Sequence, residues 1–157
     1  EPGPVGRRDP IAPPLLEQGE WREWLLSVVL NGQLVSDGAL FIRNRDDELI
    51  AIWNRCAHLG CPTAYSSGGD NYSCPCHGGA YDSRGLVSAG PPPRPLDRMD
   101  IKIVDAAGKD VAYADAKPAD RVLVGKAYSI DADEKPYKLR PPGDPVDGVL
   151  SKLFPFV

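Results

Sequence analysis

Hydrophobic residues come along this chain in short, strand-length bursts separated by turn formers. Trp24–Leu30 is one such burst. It ends at Asn31-Gly32, a dipeptide typical of tight hairpins, and Gln33–Val35 returns from it. Ala39–Arg43 is a second burst, Asn44–Glu48 a charged turn, and Leu49–Asn54 a third. After Pro95, Met99–Val104 alternates, Ala107-Gly108 turns, Val111–Tyr113 comes back and Arg121–Val124 is a last short strand. A helix over Leu15–Leu26 competes poorly, because Gly19 and the β-branched run after it are weak helix formers. The pattern predicts an antiparallel β base domain over residues 20–54 and 96–130.

Three segments break the pattern. Residues 1–19 are rich in Pro and Gly and read as an extended leader. Residues 131–157 hold Pro136, Pro141, Pro142, Pro145 and Pro155, and predict a mostly non-repetitive extension with room for a short helix at Val146–Leu153. Residues 55–95 are rich in Gly, Pro, Ser and Cys and poor in aliphatics. Such a segment cannot offset its ordering entropy by apolar burial alone and needs a staple.

Composition narrows the function classes. The chain has 157 residues and a net charge of −4, with no basic stripe of the kind that binds nucleic acid. No apolar run approaches the roughly 20 residues of a bilayer span. The chain starts at Glu1, which reads as a mature or trimmed piece. A membrane anchor, if one exists, lies outside it.

The soft and imidazole side chains carry the chemistry. All four cysteines and both histidines fall between Cys56 and His77. They form two boxes, Cys56-Ala57-His58-Leu59-Gly60-Cys61 and Cys74-Pro75-Cys76-His77-Gly78-Gly79. Each box offers a thiolate and an imidazole from a tight loop. Zinc accepts two Cys and two His, although structural zinc sites usually pair Cys with Cys and His with His along the chain. A 2Fe–2S cluster with two Cys on one iron and two His on the other suits one Cys/His pair from each loop. Cys61 and Cys76 occupy equivalent places in the two boxes. A disulfide between them would tie the loops together, and a pair of buried thiols is the alternative.

C-x-H-L-G-C followed by C-P-C-H-G, then Tyr81-Asp82 and Gly90-Pro91-Pro92-Pro93, resembles the Rieske protein of cytochrome bc complexes. The resemblance implies a Rieske-like antiparallel β sandwich with an inserted cluster-binding subdomain. It implies Cys56 and Cys74 on one iron, His58 and His77 on the other, and a Cys61–Cys76 disulfide. It makes Leu59 a shield over the cluster, and the loop around Pro91 a cover on its other side. Many bc-type members have Ser where this chain has Gly79, while Tyr81 keeps a phenol that can donate toward Cys56. A lost donor would lower the reduction potential, a pattern similar to menaquinol-linked members. Loop drift at a glycine is the simpler alternative.

The function implied is one-electron transfer in a quinol–cytochrome c oxidoreductase. His77 would contact quinol, with cytochrome b and a c-type cytochrome as partners. The domain would sit on the periplasmic or outer face of a bacterial energy-coupling membrane, and the head would move on its Pro-rich leader. An arsenite-oxidase-like small subunit and a standalone Rieske ferredoxin are the alternatives. Trp21, Trp24 and Trp53 read as packing, Asp46–Glu48 as a solvated turn, and Gly68-Gly69 lacks the Lys and helix of a phosphate loop.

Overall fold

The computed structural model describes residues 22–25, 34–36, 40–45 and 48–146. The leader, the Asn31-Gly32 turn, the possible helix after Val146 and the side chains of Trp21 and Trp24 lie outside the described residues. The described residues hold no α-helix, only strands and one 3₁₀ turn at Tyr113–Asp115. The fold is all-β, as the burst pattern requires, and the pairings β1/β11, β9/β10, β11/β12, β2/β3, β3/β4, β5/β6, β6/β7 and β7/β8, numbered in chain order as below, are antiparallel.

The chain divides into two compact units. The first joins residues up to Trp53 with Met99–Ala127. Its strands are β1 (Arg22–Leu25), β2 (Leu34–Ser36), β3 (Leu40–Arg45), β4 (Glu48–Trp53) and the greater parts of β9 (Arg98–Val104) and β11 (Arg121–Ile130), with β10 (Asp110–Val111) pairing to β9. The sheet order is β1-β11-β9-β4-β3-β2. Leu40, Ile42, Ile52, Trp53, Val122 and Val124 are fully buried in it. Strand β11 runs six residues past the predicted end at Val124. Gly125 is a weak strand former, but Ala127, Ser129 and Ile130 are buried, and that packing overrides local propensity.

The second unit is Asn54–Arg98 with the chain from Tyr128 onward. It contains a separate four-stranded sheet in the order β5-β6-β7-β8. These strands are β5 (Ala64–Ser66), β6 (Asn71–Cys74), β7 (Gly79–Tyr81) and β8 (Val87–Ala89). The sequence pattern did not announce them, because their side chains are small, polar or aromatic. Tyr72 and Tyr81, paired across β6 and β7, are fully buried. The Tyr65 ring lies 5.3 Å from that of Tyr72. Among the described residues of this unit the aliphatic contribution is thin, with Leu96, Ile130 and Val146 buried.

Polar contacts supply much of the rest. The described segment after β11, residues 131–146, is mostly non-repetitive, as its prolines predict. It turns at Asp131–Glu134 and forms β12 (Pro136–Tyr137) on the end of β11. Arg84 forks onto Glu134 through Nε at 2.7 Å and Nη2 at 2.8 Å, and Arg98 adds a third contact at 3.1 Å. The Arg84 hydrogen bond holds the Glu134 carboxyl below its ordinary range, against the opposing effect of burial. A depressed folded value means the stabilisation exists above the unfolded pKa of about 4.3 and fades as pH falls through the folded value. Glu134→Gln is therefore expected to cost about 1 kcal/mol at neutral pH and nothing in strong acid. Melting curves of the two proteins across pH check this, and coincident curves at neutral pH would remove the pair from the stability account.

Candidate metal centre

Two ligand loops and a proline loop build the site, all within the second unit. The first loop closes on itself: the Cys56 amide donates to the Cys61 carbonyl at 2.8 Å, and the Gly60 amide to the Cys56 carbonyl at 2.9 Å. At its neck the Asn54 side-chain oxygen accepts from both the amide and the hydroxyl of Thr63. The second loop is the β6–β7 hairpin, closed by the Cys74↔Gly79 pair.

The side chains converge. Cys61 and Cys76 form a disulfide across the two loops. Cys56 and Cys74 stay outside it and are buried. The Cys74 sulfur lies within 4.8 Å of both disulfide sulfurs. Those three cysteines do not form a ligand trio, since two are committed to each other. The His58 and His77 rings stand edge to face with centroids 4.9 Å apart. His77 is exposed, His58 half-buried, and Leu59 beside it is 61% exposed. Two thiols and two imidazoles are thus presented from two loops that a covalent bond clamps together.

Tyr81 completes the surroundings of Cys56. Its hydroxyl oxygen lies 3.1 Å from the Cys56 sulfur and also accepts from the Ala57 amide at 3.1 Å. A thiol at Cys56 could donate or accept in this contact, whereas a metal-bound thiolate could only accept, which would make the phenol the donor. Burial pushes the Cys56 thiol up, while the Tyr81 contact pulls it down. Burial, and then the Cys56 partnership, push the Tyr81 phenol well above its ordinary value, so it stays a donor.

The proline loop presses on the second box. At Gly90, with φ of +87°, a side chain would collide with the Gly78 carbonyl. A Cβ at Gly79 would meet Pro92 Cγ at 2.9 Å and lie 3.5 Å from the Cys56 sulfur. Gly79 therefore has a packing role, whatever the missing hydroxyl does to the potential. Pro91 itself is exposed, and the buried ring against Gly79 is Pro92.

A family model matches this geometry. It is the Rieske [2Fe-2S] domain, and it covers residues 26–105, about half of the chain. The chain belongs to the Rieske [2Fe-2S] domain family. Its cofactor is accordingly a 2Fe–2S cluster, and the domain is an electron carrier. The chain is 31% identical over 103 residues to a carotenoid phi-ring synthase of Chlorobaculum tepidum, covering 64% of this chain and 16% of that protein. It is 36% identical over 70 residues to the cytochrome b6-f complex iron-sulfur subunit of the same organism, covering 45% of this chain and 39% of that one. It thus spans less than half the length of either relative. Among solved structures, the cyanobacterial plasma membrane Rieske protein PetC3 from Synechocystis PCC 6803 aligns at 21% identity and a TM-score of 0.40, over 59% of this chain and 81% of that one.

The Tyr81–Cys56 contact gives a directional test. A donor on a ligand sulfur favours the reduced, more negative state. Tyr81→Phe is expected to lower the potential by up to about 60–130 mV, the equivalent of one charge-assisted hydrogen bond. Gly79→Ser and Gly79→Ala should each cost about 1–3 kcal/mol as Pro92 is displaced. Only the serine can donate, so it should show the higher potential of the two. Voltammetry of the three proteins checks the signs, and equal potentials for Ser and Ala at Gly79 would mean that its hydroxyl finds no sulfur.

Proposed function

We propose that this domain accepts one electron and one proton from a quinol, menaquinol by preference, and delivers the electron to a c-type cytochrome in a bc-type membrane complex. The observation that carries this reading is the pairing of His58 and His77 at one surface beside the exposed Leu59. In the proposed ligand set Cys56 and Cys74 hold one iron and His58 and His77 the other. The bound cluster supplies one-electron chemistry at a potential raised by neutral imidazole ligands.

The chain's own residues do the rest. Each histidine commits one ring nitrogen to the metal and has a second for a proton. His77, as the exposed member, meets the quinol hydroxyl and takes its proton at that second nitrogen. The oxidation of one quinol releases two electrons and two protons. One of each comes to this domain, the second electron goes to cytochrome b and the second proton to solvent. Leu59 and the proline loop keep water from the sulfurs.

The relatives that are b6-f iron–sulfur subunits support a cytochrome complex as partner. The match to the phi-ring synthase concerns 16% of that protein and supports the domain alone. No helix among the described residues is long and apolar enough to cross a membrane, so attachment would use a segment outside them. The disulfide supports an oxidising compartment, such as the outer face of a bacterial membrane, and speaks against a cytosolic ferredoxin.

The test is a redox titration of the cluster-loaded protein together with stopped-flow reduction by a naphthoquinol and a benzoquinol. The expected result is a potential in the lower half of the Rieske range of about −150 to +300 mV, with efficient reduction by the naphthoquinol. Leu59→Ala should slow that reduction and leave the potential in place. A potential near the top of the range, or reduction by neither quinol, would overturn the reading.

A further inference from the structure

The segment Arg140–Asp144 lies beyond residue 105, where the family match ends, yet it packs on the first ligand loop. The Gly143 amide donates to the Ala57 carbonyl at 2.8 Å. Gly143 has φ of +91°, and a Cβ there would come within 3.3 Å of the His58 carbonyl. A Cβ at Gly60 would meet the Pro142 ring at 3.3 Å. The segment thus touches the Cys56–Cys61 loop at Ala57, His58 and Gly60.

A buried arginine holds it there. Arg94 directly follows the proline loop, and its side chain is fully buried. A guanidinium has five N–H donors in a fixed fork, and each has a partner. Nε donates to the Asp144 carbonyl at 2.9 Å. Nη1 donates to Asp97 Oδ1 at 2.6 Å and to the Pro95 carbonyl at 3.2 Å. Nη2 donates to the carbonyls of Arg140 at 2.9 Å and Pro141 at 3.3 Å. Asp97, also buried, accepts from Arg55 at 2.8 Å and from Ser129 at 2.6 Å. Arg55 in turn reaches the Arg140 carbonyl at 3.2 Å and immediately precedes Cys56.

We propose that Arg140–Asp144 is a clasp that positions the His58 side of the metal centre, and that Arg94 is the positioning residue that locks it. The geometry is specific to arginine, because a lysine ammonium has three donors on a point charge and cannot serve carbonyls and a carboxylate around a planar fork. A released clasp frees the Ala57 and His58 backbone while the β6–β7 hairpin carrying His77 keeps its own closure. The consequence is asymmetric, falling on one histidine and not on the other.

The inference rests on the ligand set proposed above, and the experiment separates the two. In cluster-loaded Arg94→Lys, and in the milder Pro142→Ala, hyperfine spectroscopy should show one of two histidine nitrogen couplings altered and the other unchanged. Cluster loss in chelator should be at least tenfold faster. In the metal-free protein the Gly143 amide should exchange at least tenfold faster in both variants, a readout that needs no ligand assignment. Lower melting temperatures with unchanged hyperfine couplings, cluster loss and Gly143 exchange would make the segment merely structural and overturn the proposal. Absence of histidine couplings in the wild type would overturn the ligand set instead, and Gly143 exchange would still decide the clasp. If Arg94→Lys fails to fold, the same measurements on Pro142→Ala decide the proposal.

Discussion

Cys74→Ser and Cys56→Ser are each expected to abolish cluster binding, leaving a colourless protein without the reduced-state EPR signal of mixed His/Cys ligation. Both sulfurs are buried and outside the disulfide, so neither has another covalent role. Serine is nearly isosteric, but its hydroxyl does not ionise at neutral pH and is a poor ligand for iron held by soft donors. The wild type should contain about two irons per chain. The first unit has its own buried core of Leu40, Ile42, Ile52, Trp53, Val122 and Val124. The variants should therefore keep β-type circular dichroism while losing colour. Iron analysis and EPR decide the outcome, and wild-type iron content in either variant would remove that cysteine from the ligand set.

Removing the Cys61–Cys76 disulfide is the second large effect. The bond closes a stretch of 15 residues, for which chain entropy alone gives about 3 kcal/mol, within the range of about 2–5 kcal/mol seen for small domains. Among its described residues, the second unit buries few aliphatic side chains to absorb that loss. Cys61→Ser/Cys76→Ser should fold with its ligands in place but release its cluster at a lower temperature. The Cys74 sulfur, within 4.8 Å of the bridge, should report a changed potential. Thermal bleaching of the visible absorption measures the first effect and voltammetry the second. Wild type treated with a strong thiol reductant should match the double variant. Unchanged bleaching and potential would deny the bridge any part in the site.

Much of the fold and the site was legible in the chain itself. Strand-length bursts dictated an all-β fold, because alternation over four to seven residues has no helical alternative that buries the same face. Cys56, His58, Cys74 and His77 were readable as candidate ligands because cysteine and histidine are rare, and gathering all of them into two boxes points to a shared metal. The sheet β5–β8 was not readable, since its stability comes from backbone pairing and from Tyr72 and Tyr81 rather than from an aliphatic pattern. Nor was the length of β11, where Gly125 argued for an end and burial of Ala127, Ser129 and Ile130 argued otherwise.

Ligand identity and the disulfide partners are local, chemically distinctive signals, and the sequence by itself determined them as candidates. Tertiary structure alone decided which neighbours act on them. That Pro92 fills the space a Gly79 side chain would need, that the Tyr81 hydroxyl lies 3.1 Å from the Cys56 sulfur, and that Arg94 ties a segment some fifty residues away to the first ligand loop are facts of distance between positions remote in sequence. An arginine in a proline-rich stretch looks like a solvated surface residue. It becomes something else only when folding removes water from its five donors and leaves backbone carbonyls in its place.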